Sequence, residues 1–340
     1  MQVHTIDIPI RSLLRILFVF VIITVLFLIR DLLLLLLLSV VLASGIAPAV
    51  TWFEKRRIPR LGGLLIVLVT AVAATSLLLV VVIPPLISDI AKFTEDFPAY
   101  ARLLLHELRP IGIAPESAIG QGVNQVLQEF ASYLGQGIAS LPALALQIFG
   151  GVFATASVLL VTFYLSLERD GVEKFLRLFV PKAEESYTIN LWRRAQKQIG
   201  AWAQGQLLLM ALIGIVTYIG LSLLHVEYAL LLAFLAALFE VVPIVGPILA
   251  GAAAVIVAIF QAPQLALFVA LFYGAVQQLE GHVIVPLLYR RILRLHPVII
   301  IFALLVGARL AGVVGIILAV PMAAILTEFL QDYSQGKVKF

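Results

Sequence analysis

Glu240, Pro243, Gly246 and Pro247 interrupt an apolar run from Ala229 to Phe260 that would otherwise read as plain membrane helix. Pro243 and Pro247 have no backbone donor, and each pushes the residue before it out of helical geometry. A helix break near Gly246 follows. Broken backbone at bilayer depth survives only where protein buries it or where it lines a wet cavity. Glu240 stands just before that break, and a charge at mid-bilayer costs ~2.5–3.5 kcal/mol on insertion scales, so such groups usually face an interior path or a partner. Its chemistry is either proton or cation carriage, or a structural anion paired with another helix. Gln277, Glu280 and His282 are a second polar group on an apolar segment. Glu280 could hold backbone donors at a hairpin tip, and His282 could be interfacial. Arg309 is a third candidate, able to pair with Glu240, to attract an anion, or to reach the interface by snorkelling. Gln204 and Gln206 are lesser polar candidates.

The elements that position these residues belong to a membrane. Of 340 residues, 62% are hydrophobic and 12% charged, with a mean hydropathy of +1.12. Globular domains carry about 25% charged residues. Continuous apolar runs, rather than alternating strands, specify an all-α integral membrane protein, a polytopic helical bundle. The net charge of +4 sits at membrane edges, which reads as topology and not as nucleic-acid binding. There is no cysteine, so thiol chemistry and disulfides are excluded. Arg11 and Arg15 precede a full apolar run without a small-residue cleavage site, the pattern of a retained first span.

Residues 1–83 read as three spans: Leu13 to Ile29, Leu32 to Val50, and Leu61 to Ile83 ending at Pro84-Pro85. Arg30-Asp31 is expected as a tight turn, with a bend in one long helix as the alternative. The Lys55-Arg56-Arg57 and Arg60 cluster marks the cytoplasmic side, and two intervening spans then place the N-terminus there too. Residues 84–143 carry an excess of anions and apolar residues at helical spacing, an extracytoplasmic amphipathic segment. Residues 144–167 are the fourth span. Residues 168–203 are basic and amphipathic, an interfacial elbow on the cytoplasmic side. Residues 204–330 form the core, and 331–340 a cytoplasmic tail.

Within that core, the arms of segment 229–260 are each roughly 13 residues, short of the ~20 a span needs. A single crossing would also leave Arg290, Arg291 and Arg294 outside, against the bias of basic residues to the cytoplasm. A re-entrant hairpin meets both constraints. Segment 297–330 repeats the pattern, with a break at Gly307–Gly312. Small residues recur every fourth position in both: Gly246, Ala250, Ala254 and Ala258, then Ala311, Gly315, Ala319 and Ala323. Such ridges let backbones approach. Two inverted hairpins imply an internal inverted repeat with a site near the midplane.

Val242-Pro243-Ile244-Val245-Gly246-Pro247 resembles the Pro-x-x-Gly-Pro signature of the autoinducer-2 exporter (AI-2E) family. Gln277-Gln278-Leu279-Glu280-Gly281-His282, then Pro286, is similar to its Gln-x-x-Glu-Gly-Asn-x-x-x-Pro element. Leu295-His296-Pro297, Gly312-Val313-Val314-Gly315 and Ala319-Val320-Pro321 match further landmarks in order. His282 stands where the family usually has Asn, Ile244 replaces a common aromatic, and Arg309 falls at a variable position. The resemblance implies about eight membrane segments and a secondary carrier exporting a small signalling molecule. Some members are described as sodium- or lithium-proton antiporters. The ligand expected is a small molecule or ion, with the lipid bilayer as partner, a homo-oligomer as assembly, no nucleic acid, and no cofactor or metal. An intramembrane enzyme is disfavoured by the lack of a His-Glu-x-x-His pair and of cysteine, and a membrane scaffold is a weaker alternative. No Gly-x-x-x-x-Gly-Lys-[Ser/Thr] sequence is present, so energy must come from a gradient or a partner.

Overall fold

The computed structural model describes residues 10–107, 151–168, 170–182, 184–243, 245–289 and 297–335, with isolated positions between 121 and 132. Most of segment 108–150, the arginines at 290, 291 and 294, and the last five residues lie outside that set. Among the described residues there is no strand. Five of the described helices are long and apolar enough to cross a membrane. The protein is an all-α, multi-pass membrane protein.

Helix α1 (Ile10–Leu28) leads into α2 (Arg30–Lys55). The tight turn expected at Arg30-Asp31 is replaced by a bend. Ile29 N donates to Val25 O and Leu33 N to Ile29 O, both at 3.0 Å, so the helical ladder runs through the joint. The charged pair has no glycine or proline beside it to reverse the chain. Helix α3 (Arg60–Glu107) holds a second correction, because it passes through Pro84-Pro85 instead of ending there. A proline removes one helical hydrogen bond without forcing a turn. At ~1.5 Å per residue the 48 residues of α3 exceed any bilayer. The amphipathic stretch after the prolines is therefore a continuation of the third span.

Helix α4 (Gly151–Leu167) packs on α2 through polar contacts inside an apolar seam. Ser39 Oγ donates to Val158 O at 3.3 Å, and Thr162 Oγ1 to Ser39 O at 3.4 Å. Helix α5 (Gly171–Phe179) is the short amphipathic element, and α6 (Glu185–Leu223) is a long helix that reaches from it across the molecule. Gly200 brings α6 onto α2, since a Cβ there would lie 2.4 Å from Ser44 O.

The ion pairs of α5, α6 and the end of α11 gather at one end. Arg193 makes a two-pronged pair with Glu173 at 2.7 Å, tying α5 to α6. This guanidinium holds the Glu173 carboxyl below its ordinary value. The neighbouring Arg194 points the other way, to Glu328 at 2.9 Å and to Asp332. Gln198 adds a bond to Glu328 at 2.6 Å. Arg60 closes the same end through Ser166 O at 2.8 Å and Glu54 at 3.3 Å. At the opposite end Tyr228 donates to Asp96 at 3.0 Å, and Phe93 packs with Leu221, Val226, Phe260 and Ala266.

Helices α7 (Ala229–Phe239) and α8 (Val245–Gln261) form the first hairpin. Leu232 meets Ala254 and Ala258 in one buried cluster, which makes the arms antiparallel. Helix α9 (Pro263–Leu279) runs beside them, passes through a π turn (Glu280–Ile284) and continues as α10 (Val285–Tyr289). The last helix, α11 (Pro297–Ser334), is itself folded back at Ala311 and Gly312, where the backbone leaves helical geometry. Gly312 has φ +56° and ψ −133°, a region close to glycine-only. Gly307 and Gly315 then touch: a Cβ on Gly315 would stand 1.9 Å from Gly307 O, and one on Gly307 2.3 Å from Gly315 O. The backbone of 297–330 thus turns at the C-terminal edge of the Gly307–Gly312 stretch.

Candidate functional site

The break in the first hairpin covers the described residues 240–243, slightly earlier than the Gly246 position expected from the prolines. Helix α8 already resumes at Val245. Pro247 falls in its first turn, where backbone donors have no helical acceptor to lose. Gly246 is buried because α8 begins against the end of α7, and a Cβ there would meet Phe239 O at 1.9 Å. Val242 N returns to Phe239 O at 2.8 Å, and Gly246 N to Val242 O at 2.9 Å, so the turn is closed by its own backbone. Pro243 lies half-buried within it.

Glu240 caps the end of α7 and is 2% exposed. Its backbone carbonyl accepts a 2.8 Å hydrogen bond from Gln206 Nε2, inside the bundle. The bond fills one of the carbonyls that a helix end leaves open. Glu280 is also buried, at the start of the π turn. Pro286 has no N–H to return to His282 O, and the wider turn directly precedes it. Glu280 is buried at the start of this turn, and its carboxyl interacts with that of Glu240. Glu240 Oε2 has no donor among the described residues. Two carboxylates in contact away from water repel each other, and one proton held between them converts the contact into a hydrogen bond.

Glu240, Pro243, Gly246, Pro247 and Glu280 therefore converge. Gln277 and Arg309 do not join them. Gln277 is exposed one turn before Glu280 on α9. Arg309 is exposed near the tip of the second hairpin and pairs with neither carboxyl. His282 is exposed, its Nδ1 3.1 Å from Gln278 O. Gln204 bonds Gly45 O on α2 instead, at 2.5 Å. Gln206, weakly marked in the sequence, is central. Thr217 Oγ1 and Tyr273 OH, both buried without a partner among the described residues, gave no sequence signal beyond being polar atoms on apolar faces. The tip of the first hairpin also touches the second, since Val242 packs on the cluster of Leu304, Leu318 and Ala319. Among the described residues no group of three or more His, Asp or Glu could hold a metal ion.

The family profile described as AI-2E family transporter matches residues 16–335. The chain belongs to the AI-2E transporter family. It is 24% identical over 294 residues to YrrI of Bacillus subtilis (strain 168), named as a candidate transport protein, covering 85% of this chain and 83% of that one. It is 33% identical over 215 residues to YueF of the same organism, also named as a candidate transport protein, covering 61% and 56%. PerM of Escherichia coli (strain K12), named as a candidate permease, is 26% identical over 181 residues, 53% and 51% of the two chains.

Proposed function

We propose that the chain is a secondary transporter that exports a small polar solute, of the autoinducer-2 type, in exchange for protons carried by the Glu240–Glu280 pair. The observation that carries this reading is the meeting of two buried carboxyls at a broken helix. The 11 residues of α7 bring Glu240 about 16 Å from its start, and the 17 of α9 bring Glu280 about 26 Å from its own. A hydrocarbon core is ~30 Å thick, so α7 ends about half-way through it and the first hairpin reads as re-entrant, with Glu240 at mid-bilayer depth and Glu280 nearer the charged end of α9. The charged end is the cytoplasmic face of a bacterial inner membrane, and the C-terminus lies there. The placement of the N-terminus loses its support, because it relied on a reversal at Arg30-Asp31 that is a bend. Pro243, Gly246 and Pro247 shape the site, Gln277 and Arg309 flank its approaches, and a homo-oligomer covers the exposed apolar faces. The role is transport and not catalysis.

Glu240→Gln in proteoliposomes tests the reading. Solute efflux driven by a proton gradient falls to background, while solute binding measured in detergent persists. Unchanged proton-driven flux overturns it. A second reading, sodium- or lithium-proton antiport, is favoured by the uncapped Glu240 Oε2, an anionic ligand for a small cation. Cation-dependent proton flux without any organic solute separates the two.

A further inference from the structure

An apolar cavity of about 510 Å³ lies where helices α2, α4, α5, α6 and α11 meet. Val41, Leu165, Leu176, Trp192 and Ile325 supply one part of its wall from each. Sequence neighbours set its level in the molecule. Val172 and Leu176 of the wall flank Glu173, Trp192 precedes Arg193, and Ile325 stands one turn before Glu328. The cavity thus lies against the ion pairs of the charged end.

Water does not suit this space. Apart from Trp192 Nε1, no described side chain that lines it offers a hydrogen bond, whereas a buried water needs about 2–4 polar partners. Emptiness does not suit it either. The cost of an empty apolar cavity rises with its volume, and one of ~150 Å³ already takes up benzene. An apolar guest is required. Leu36 and Met322 of the wall are 45% and 43% exposed, so the cavity is reached from the outer surface. For a membrane protein that surface faces the hydrocarbon of the bilayer.

The rim carries the complement of a lipid head group. Arg193 meets Glu173 through Nε and Nη2, so Nη1 retains its donors, and the side chain stays 58% exposed. Arg177 pairs with Glu185 at 3.0 Å and is 52% exposed. Both guanidiniums act on the Glu173 carboxyl, which places them in one locality. Guanidinium donors match the oxygens of a phosphate.

We propose that this cavity is a phospholipid site: an acyl chain fills it, and the phosphate sits at the α5–α6 rim against Arg177 and Arg193. The bound lipid completes the packing of α2, α5 and the return arm of α11 around the cavity. The site is separate from the Glu240–Glu280 pair and does not depend on what that pair carries.

The tryptophans of the chain test it. Trp192 lines the cavity, and Trp52 is 47% exposed on the outer surface. One variant keeps only Trp192 (Trp52→Phe with Trp202→Phe), and another keeps only Trp52 (Trp192→Phe with Trp202→Phe). Both are reconstituted in phosphatidylcholine with brominated acyl chains, then washed in lipid-free detergent. Both tryptophans are expected to be quenched in the bilayer. After the wash Trp52 recovers and Trp192 stays quenched. Trp192 unquenched in the bilayer means that a second copy or another part of the chain closes the cavity. Recovery of Trp192 together with Trp52 means that only bulk lipid reached it. Either result overturns the site. Where these variants do not fold, native mass spectrometry of the washed wild-type protein serves: a retained phospholipid adduct is expected, and its absence overturns the site. Val172→Phe fills the cavity, with Val40→Phe as a second filling variant should helical circular dichroism be lost. Each is expected to lose the adduct, and an adduct that survives both lies elsewhere and overturns the site. Brominated diacylglycerol has the chains without the phosphate and is expected to wash away from Trp192. Its retention overturns the phosphate contact.

Discussion

Glu240 and Glu280 illustrate how a single residue acquires meaning from its partner. Each stood out in the sequence as a carboxyl on an apolar segment. Their convergence could not be read there, because it depends on the packing of α9 against the hairpin. Gln206 was harder still: its value comes from the open carbonyl at the end of α7, which exists only once the helix has stopped at Phe239. Gly246 was legible in kind but not in reason. It is required less by backbone freedom than by the closeness of Phe239 O, which a Cβ would approach to 1.9 Å. Gly246→Ala must force the two arms apart, an overpacking cost of ~1–3 kcal/mol or more. Gly274→Ala, with nothing within 4 Å of its Cβ, is expected to be neutral or stabilising by up to ~1 kcal/mol. Melting temperatures of the two variants in detergent check this, and equal melting points would refute the close approach.

At the scale of elements, the helix breaks within 229–260 and 297–330 were legible from prolines and glycines. Two other boundaries were not. Pro84-Pro85 and Arg30-Asp31 look like ends in a sequence, yet α3 runs through the first and the helical ladder of α1 and α2 through the second. Local signals mark where a helix can stop, while packing and the surrounding solvent decide whether it does. The joint between α5 and α6 shows a charge-dependent element. The folded Glu173 carboxyl is held below its ordinary 4.5 by Arg193. The pair therefore stabilises docking fully above the unfolded value, and that contribution is lost as pH falls through the lowered one. Spin labels at Leu178 and Lys197 should keep one narrow distance distribution above pH 4.5 and broaden as pH falls through the lowered value. Glu173→Gln should abolish the step, and a transition that survives this change would assign it elsewhere.

For the molecule as a whole, charge distribution carried the reading of topology. The structure gathers the loop after α2, the end of α4, α5, the start of α6 and the end of α11 at one face, and Asp96 with Tyr228 at the other. Arg290 lies outside the described residues, so its side remains an inference from the hairpin reading. Arg290→Cys should label from the face opposite to Glu95→Cys. Labelling of both from one face would mean that segment 229–260 crosses once, and the re-entrant reading would fail.

The contact between Gly307 and Gly315 has a genetic corollary. Each carbonyl occupies the space that a side chain on the other glycine would need, so neither position can accept even a methyl while the arms stay closed. Once one substitution has spread the arms, the second meets an obstacle already removed. The two positions thus behave as one locus, with strongly sub-additive epistasis, and no change at either can compensate for a change at the other.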